Sequence, residues 1–124
     1  MIPRYRAWDS WRKRMSAVDR IYIDTEGVRL YDDFGEYWRD FRDVKLMQST
    51  GLKDRNSVEI FEGDIVKMSK DVYSEPTYYE VVRYRGGAYR LESKQHGCEL
   101  WLRHADCEIV GNVYENPELL EDIK

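Results

Sequence analysis

TYYEVVRYRGGAYRLES, residues 77–93, is the stretch whose reading decides the fold. Two runs rich in Tyr and Val, Thr77 to Tyr84 and Ala88 to Ser93, flank Arg85-Gly86-Gly87. Aromatic and β-branched side chains suit a pleated, half-buried surface, and paired glycines supply the positive φ that a tight hairpin connection requires. The stretch therefore predicts an antiparallel hairpin, and the segments on either side extend the same pattern.

Toward the C-terminus, Cys98 to Arg103 (CELWLR) and Cys107 to Tyr114 (CEIVGNVY) read as further strands. Gly111 inside the second predicts a bulge or a close backbone approach. The tail NPELLEDIK has a helix-start signature, with Asn116 as cap, Pro117 at the first helical position and Glu118 in the first turn, and predicts about two turns of helix. Toward the N-terminus, Val58 to Phe61 and Asp64 to Met68 read as strands around Glu62-Gly63-Asp64. Gly63 is the expected hinge there, with Glu62 and Asp64 turned to water or folded back on local backbone amides. Asp54-Arg55-Asn56-Ser57 has turn composition, and Val44 to Ser49 reads as a strand that ends at Thr50-Gly51, with Val44, Leu46 and Gln48 on one face and Lys45 and Met47 on the other.

Asp32 to Asp43 differs, because Phe34, Trp38 and Phe41 recur at helical spacing. A short helix capped by Asp32 or Asp33, or an ordered loop, both fit, although Gly35 weakens the helix. Before it, Arg20 to Asp24 and Val28 to Tyr31 read as a hairpin across Thr25-Glu26-Gly27, with Gly27 supplying the positive φ. Tyr5 to Trp8 reads as a short strand leading to a turn at Asp9-Ser10. Many short strands with little helix predict a mainly β chain with minor α content, a predominantly antiparallel sheet bent into a small barrel or sandwich. A length of 124 residues fits a single domain, residues 1–124.

Composition narrows the function classes. An apolar share of 42%, with ten Tyr, four Trp and three Phe, describes a folding chain, and the excess of Tyr favours strands. The net charge of −4 implies no general affinity for nucleic acid or anionic membrane, and confines any such contact to a local patch. The sign is uneven, however, since residues 1–15 carry Arg4, Arg6, Arg12, Lys13 and Arg14 against Asp9 alone. No stretch has membrane-spanning length, and MIPRYRAWDSW lacks the apolar run of a signal peptide, so a cytoplasmic protein without membrane contact is expected. Cys98 and Cys107 are too few for a disulfide framework and should remain thiols.

Three groups of residues invite a chemical reading. RYRAWDSWRKRM interleaves Arg4, Arg6, Arg12, Lys13 and Arg14 with Trp8 and Trp11, giving stacking faces and cations for single-stranded nucleic acid. The competing reading packs the Trp rings into the core under Arg and Lys stems. QHGCELWLRHADC brings His96, Cys98, His104 and Cys107 together, and these residue types suit tetrahedral zinc. Their spacing matches no established zinc motif, so the expectation is no metal and no cofactor, with partly buried Cys and solvated His. Tyr73, Tyr78, Tyr79, Tyr84 and Tyr89 offer either a stacking platform or ordinary cross-strand packing. A Gly-rich phosphate loop and a Ser/His/Asp signature are absent, no carboxylate is marked as a catalytic acid or base, and a non-enzymatic protein is expected.

Three blocks carry a family likeness: RAWD with Met15 after it, MQSTGLKDRNSVEIFEGDIVK over residues 47–67, and EIVGNVYENPELL over residues 108–120. In that order they resemble the phage-encoded YopX family, and Gly51, Gly63, Asp64, Gly111, Asn116 and Pro117 are the structural markers within them. Two departures stand out, Ser49 where the family commonly has an aromatic residue and Asn56-Ser57 where it favours Asn-Gly. The resemblance implies a partial, SH3-like barrel and a phage or prophage origin, hence a bacterial host cell, and it implies no catalytic residues. The resulting expectation is an accessory protein acting through protein contacts or self-association, with its exposed Tyr/Trp surface as the interface. The alternative is a nucleic-acid-binding module built on the basic N-terminal segment.

Overall fold

A computed structural model of the chain describes residues 4–69, 73–94 and 97–121. Its strands are β1 (Tyr5–Asp9), β2 (Arg14–Tyr22), β3 (Gly27–Asp32), β4 (Gly35–Asp40), β5 (Val44–Lys53), β6 (Glu59–Phe61), β7 (Asp64–Ser69), β8 (Pro76–Arg83), β9 (Tyr89–Glu92), β10 (Gly97–Glu99) and β11 (Glu108–Asn112). One helical turn, α1 (Leu100–Arg103), and short 3₁₀ turns at Phe41–Asp43, Arg85–Gly87, His104–Asp106 and Pro117–Leu120 complete the described elements. The chain is mainly antiparallel β, as the sequence predicts. Its contacts divide it into two compact units, Met1–Ser49 and Thr50–Lys124.

In the first unit the strand order is β4-β3-β2-β1-β5, all antiparallel. Ala7, Val28, Leu30 and Val44 form its buried centre, with Val18, Ile21, Tyr37, Phe41 and Leu46 packed against them. The segment expected to be a helix or loop is instead β4, paired with β3 from Gly27↔Asp40 to Asp32↔Gly35. Phe34 sits at the hairpin tip, where Gly35 has φ 122°, and Asp32 Oδ1 accepts from the Phe34 amide at 2.8 Å. The carboxylate that suggested a helix cap thus builds a turn. The hairpin from β2 to β3 is present, but the positive φ belongs to Glu26 (φ 55°) and not to Gly27. Gly27 is glycine because any Cβ there would run into the Trp38 indole, which also packs on Tyr22 with ring centroids 5.4 Å apart. Strand β5 continues past its expected end to Lys53, with Gly51 at φ 79° inside it. Met47, expected opposite Val44, is itself buried.

In the second unit the order is β10-β9-β8-β7-β11, an open five-stranded sheet consistent with a partial barrel. Alternation places Tyr79 and Val81 of β8 inside beside Val66 and Met68 of β7 and Leu91 of β9, and Ile60, Leu100 and Cys107 close the core. Burying each of the fully enclosed Leu, Ile and Val side chains stabilises the fold by about 1.5–3 kcal/mol. The deciding hairpin forms with Arg83↔Tyr89 as its last pair, and Gly86 and Gly87 both have positive φ, 81° and 87°. Gly63 turns the chain between β6 and β7 at φ 88°; its N–H donates to the Val81 carbonyl and its carbonyl accepts from Val113, each at 2.9 Å. Asp64 folds back as expected, Oδ2 accepting from the Phe61 amide at 2.8 Å.

Two expectations in this unit need correction. CELWLR is not one strand, since β10 ends at Glu99 and the chain then coils so that Leu100 is buried while Trp101 and Leu102 face solvent. The C-terminal helix is a single 3₁₀ turn with Pro117 at its start. Asn116 makes no side-chain cap there; its Oδ1 accepts from the Asn112 amide at 3.3 Å and fills the space above Gly111. Gly111 occupies the predicted bulge, the β7–β11 register shifting between Ile109 and Gly111.

Candidate functional site

In the first unit Arg12, Lys13 and Arg14 cluster at the β1–β2 tip and reach the neighbouring β3–β4 tip. Between β1 and β2 the chain turns through Ser10 to Lys13, where the Lys13 amide donates to the Asp9 carbonyl at 2.7 Å and Lys13 takes φ 56°. Asp9 organises this turn. Its side chain has no solvent exposure, and Oδ1 accepts from the Trp11 amide (2.9 Å), the Arg12 amide (3.2 Å) and Arg39 Nε (3.2 Å). Burial works to raise the Asp9 pKa, but the donors of Arg12, Trp11 and Arg39 and the neighbouring Tyr37 hydroxyl outweigh it and hold the carboxyl below its ordinary range. Tyr37 is shifted the other way, upward, by burial first and by the negative charge of Asp9. Its hydroxyl shares a 2.7 Å hydrogen bond with Ser16.

The tip between β3 and β4 joins through Asp32, whose Oδ2 receives Arg14 Nη2 at 2.9 Å and Arg12 Nη1 at 3.3 Å. Three guanidinium groups stack on rings here: Arg12 over Tyr37 (4.2 Å to the centroid), Arg39 over Tyr37 (4.8 Å) and Arg14 over Phe34 (5.1 Å). Arg39 also lies 5.7 Å from the Trp11 ring. Above this layer Trp11 is 73% exposed and Phe34 81% exposed. Stacked, paired arginines lose little freedom on forming a contact, and uncovered rings bring large apolar area.

The residues expected at a nucleic-acid surface are therefore only partly united. Trp11, Arg12, Lys13 and Arg14 share the β1–β2 tip, whereas Arg6 lies on β1 opposite Ala17 and Met47, alternating away from the face that carries Ala7 and Asp9. Arg4 precedes the strand, its carbonyl accepting from Ser49. Arg39, Tyr37 and Phe34 are the members that sequence reasoning missed; the alternation of Tyr37 and Arg39 within GEYWRD was the available signal.

Three of the four residues of the candidate metal cluster, Cys98, His104 and Cys107, lie among the described residues of the second unit. His96 lies outside the described residues. Cys107 is fully buried, its Sγ 3.4 Å from the Arg103 carbonyl and 3.8 Å from Met68 Sδ, and burial pushes its pKa up to about 12. Cys98 is half-buried at the core edge with its pKa also raised by burial, and His104 Nδ1 bonds the Lys53 carbonyl at 2.7 Å. Among the described residues no three His, Cys, Asp or Glu side chains are grouped to hold a metal ion. Of the tyrosines, Tyr79 points into the core and Tyr89 packs against it, while Tyr73, Tyr78 and Tyr84 are exposed, so the five form no single platform. Among the described residues no helix is long and apolar enough to cross a membrane.

A family model described as YopX protein matches residues 4–121. The SPbeta prophage-derived uncharacterized protein YopX of Bacillus subtilis is 28% identical over 143 aligned residues, covering all of both chains. Among solved structures, protein EF1440 from Enterococcus faecalis is similar, with 30% identity, a TM-score of 0.66 and coverage of 98% of this chain and 99% of that one. The crystal structure of yopX from Bacillus subtilis gives 27% identity and a TM-score of 0.64, covering 98% of each chain.

Proposed function

Because this chain belongs to the YopX protein family, we propose that it is a prophage-type accessory protein of the host cytoplasm that works without catalysis by binding a protein partner. The observation that carries this reading is the patch at the two hairpin tips, where Trp11 and Phe34 stand in solvent over arginines already fixed on Asp9 and Asp32. Trp, Tyr and Arg are the residues that dominate protein interface energetics, and an exposed ring on a rigid support binds at low entropic cost. Asp32 pairs with two of the patch's cations, Arg12 and Arg14, and Asp9 with a third, Arg39. Cysteine chemistry has little support, both thiols being shifted toward the protonated form.

The test is affinity capture of the tagged chain from prophage-induced cells, with and without nuclease, beside a Trp11→Ala/Phe34→Ala variant. A protein recovered after nuclease treatment and lost with the variant supports the reading. Recovery that requires intact nucleic acid, together with oligonucleotide binding that falls steeply with salt and with Arg12, Lys13 and Arg14 changed to Ala, would establish the nucleic-acid alternative. Sedimentation of the purified chain over a concentration series decides whether the partner is a second copy.

A further inference from the structure

The second unit holds a cleft of about 510 Å³ lined by Arg55, Lys67, Met68, Ser69, Pro76, Arg103, Ala105 and Asp106. That volume falls in the range of small-molecule sites, roughly 300–1,000 Å³. Its three cations come from three places in the fold: Arg55 from the turn before β6, Lys67 from β7 and Arg103 from α1. In a chain of net charge −4 this convergence is local and not a consequence of composition.

Glu108, opposite Lys67 on β11, holds two of the cations by one oxygen. Its Oε1 lies 2.7 Å from Arg55 Nη2 and 3.8 Å from Lys67 Nζ. Arg103 is braced differently, Nη2 donating to the Ser69 carbonyl at 3.1 Å and Nε pairing with Asp106 at 3.0 Å. These bonds fix both guanidinium groups while leaving Nη1 of each, and Nε of Arg55, for a ligand. Three cations against Glu108 and Asp106 leave the described lining positive. Met68, Pro76 and Ala105 add an apolar wall.

We propose that this cleft binds a phosphate group carried on a small organic body. A planar carboxylate offers two oxygens in one plane, whereas a phosphate monoester presents three around a tetrahedron and can accept from donors that approach from three elements. The apolar wall takes the body of the ligand.

Amide chemical shifts of the full chain, titrated at constant ionic strength with phenyl phosphate, benzoate and inorganic phosphate, test this. Phenyl phosphate saturates and moves the amides of Arg55, Lys67 to Ser69 and Arg103 to Asp106, and benzoate binds about tenfold more weakly. Inorganic phosphate shifts the same amides with lower affinity, because it has no body for the wall. Arg55→Gln and Lys67→Gln each weaken phenyl phosphate about tenfold with an unchanged thermal midpoint, and they serve if Arg103→Gln, which loses the bond to Ser69, fails to fold. Absence of saturable shifts up to about 20 mM, about 2 kcal/mol at most of binding free energy, overturns the proposal. So do benzoate binding as tightly as phenyl phosphate, or affinity unchanged in an Arg55→Gln/Lys67→Gln variant. Inorganic phosphate equal to the ester overturns the role given to the apolar wall.

Discussion

Replacing Asp9 with Asn isolates the charge at the centre of the β1–β2 tip while keeping the shape. The amide oxygen can still accept from the Trp11 and Arg12 amides and from Arg39 Nε, but the two backbone bonds lose their charge assistance, while the Arg39 bond keeps only that of the guanidinium. A hydrogen bond to a charged group contributes about 1.5–3 kcal/mol against about 0.5–1.5 kcal/mol for a neutral pair. Two such bonds give a loss of about 2–3 kcal/mol, and the lower end applies because Trp11 and Arg12 are exposed and water is one residue away. Arg39, only 21% exposed, is also left without its carboxylate. At about 4 °C per kcal/mol for a chain of this size, the thermal midpoint should fall by about 8 °C at pH 7. Urea unfolding with an unchanged slope would measure the free energy directly. The pH dependence supplies the sharper check. The folded chain holds the Asp9 carboxyl below its ordinary value, so the unfolded chain takes up this proton at higher pH than the folded one. The stabilisation is then complete above the unfolded value, about 3.9, and is lost as pH falls through the folded value below it. Wild type and Asp9→Asn should differ equally at pH 7 and pH 5, and the difference should shrink as pH falls below about 3.9 and through the depressed folded value. A difference under about 0.5 kcal/mol at pH 7, or one that persists unchanged in acid, would refute the account of Asp9 as an ionised organiser of the turn.

Further outcomes follow from single backbone and packing features. Ser57 occupies the left-handed region at φ 64°, so Ser57→Gly should raise stability by about 0.5–1 kcal/mol in urea titration, the strain relieved exceeding the entropy added to the unfolded chain. Gly63→Val, at φ 88° with both backbone groups engaged, should lower it by about 2–3 kcal/mol in the same assay. Gly27→Ala should destabilise the chain by about 1–3 kcal/mol alone and by much less on a Trp38→Ala background, a coupling read from a double-mutant cycle. A thiol reagent at pH 8 should modify Cys98 slowly in the native chain and reach Cys107 only on unfolding, because the thiolate needed for attack is suppressed by a pKa of about 12 and the sulfur is enclosed.

The parts of this fold legible in the sequence are those decided locally. The hairpin over residues 77–93 needed only two glycines of positive φ between strand-forming runs, and both glycines have it. Gly63 and the Gly111 bulge are local in the same sense. Strand β4 was not legible, because Phe34, Trp38 and Phe41 satisfy a helical period by accident of three separate jobs. Phe34 tops a turn, Trp38 covers Gly27 and Phe41 packs on the core from a 3₁₀ turn. The candidate site was half legible for the same reason: the basic run and Trp11 are visible as composition, while the Asp9–Arg39 pair joins residues thirty apart in sequence. Nothing near Asp9 announces Arg39 as its partner.

The buried polar residues explain what the recognisable blocks do. Asp9 accepts from the amides of Trp11 and Arg12, Asp54 from those of Asn56, Val58 and Ile109, Asp64 from that of Phe61, and Asn112 from those of Tyr114 and Glu115. Each is a buried acceptor that fixes a turn, and all four lie in the RAWD, central or C-terminal block. The blocks that mark the family thus hold these turns, and the Asp9 turn carries Trp11 and Arg12 while the Asp54 turn carries Arg55. Changing the acceptor should therefore disturb binding without touching a contact residue. Asp54→Asn keeps the side-chain volume, but its single oxygen can serve the Asn56 and Val58 amides or the Ile109 amide and not both, so phenyl phosphate affinity should fall several-fold while Trp11-dependent capture is unaffected, and Asp9→Asn should do the reverse. Loss of both activities in either variant would mean that the substitution unfolds the chain and does not act through one turn, an outcome that the urea midpoint of each variant would reveal.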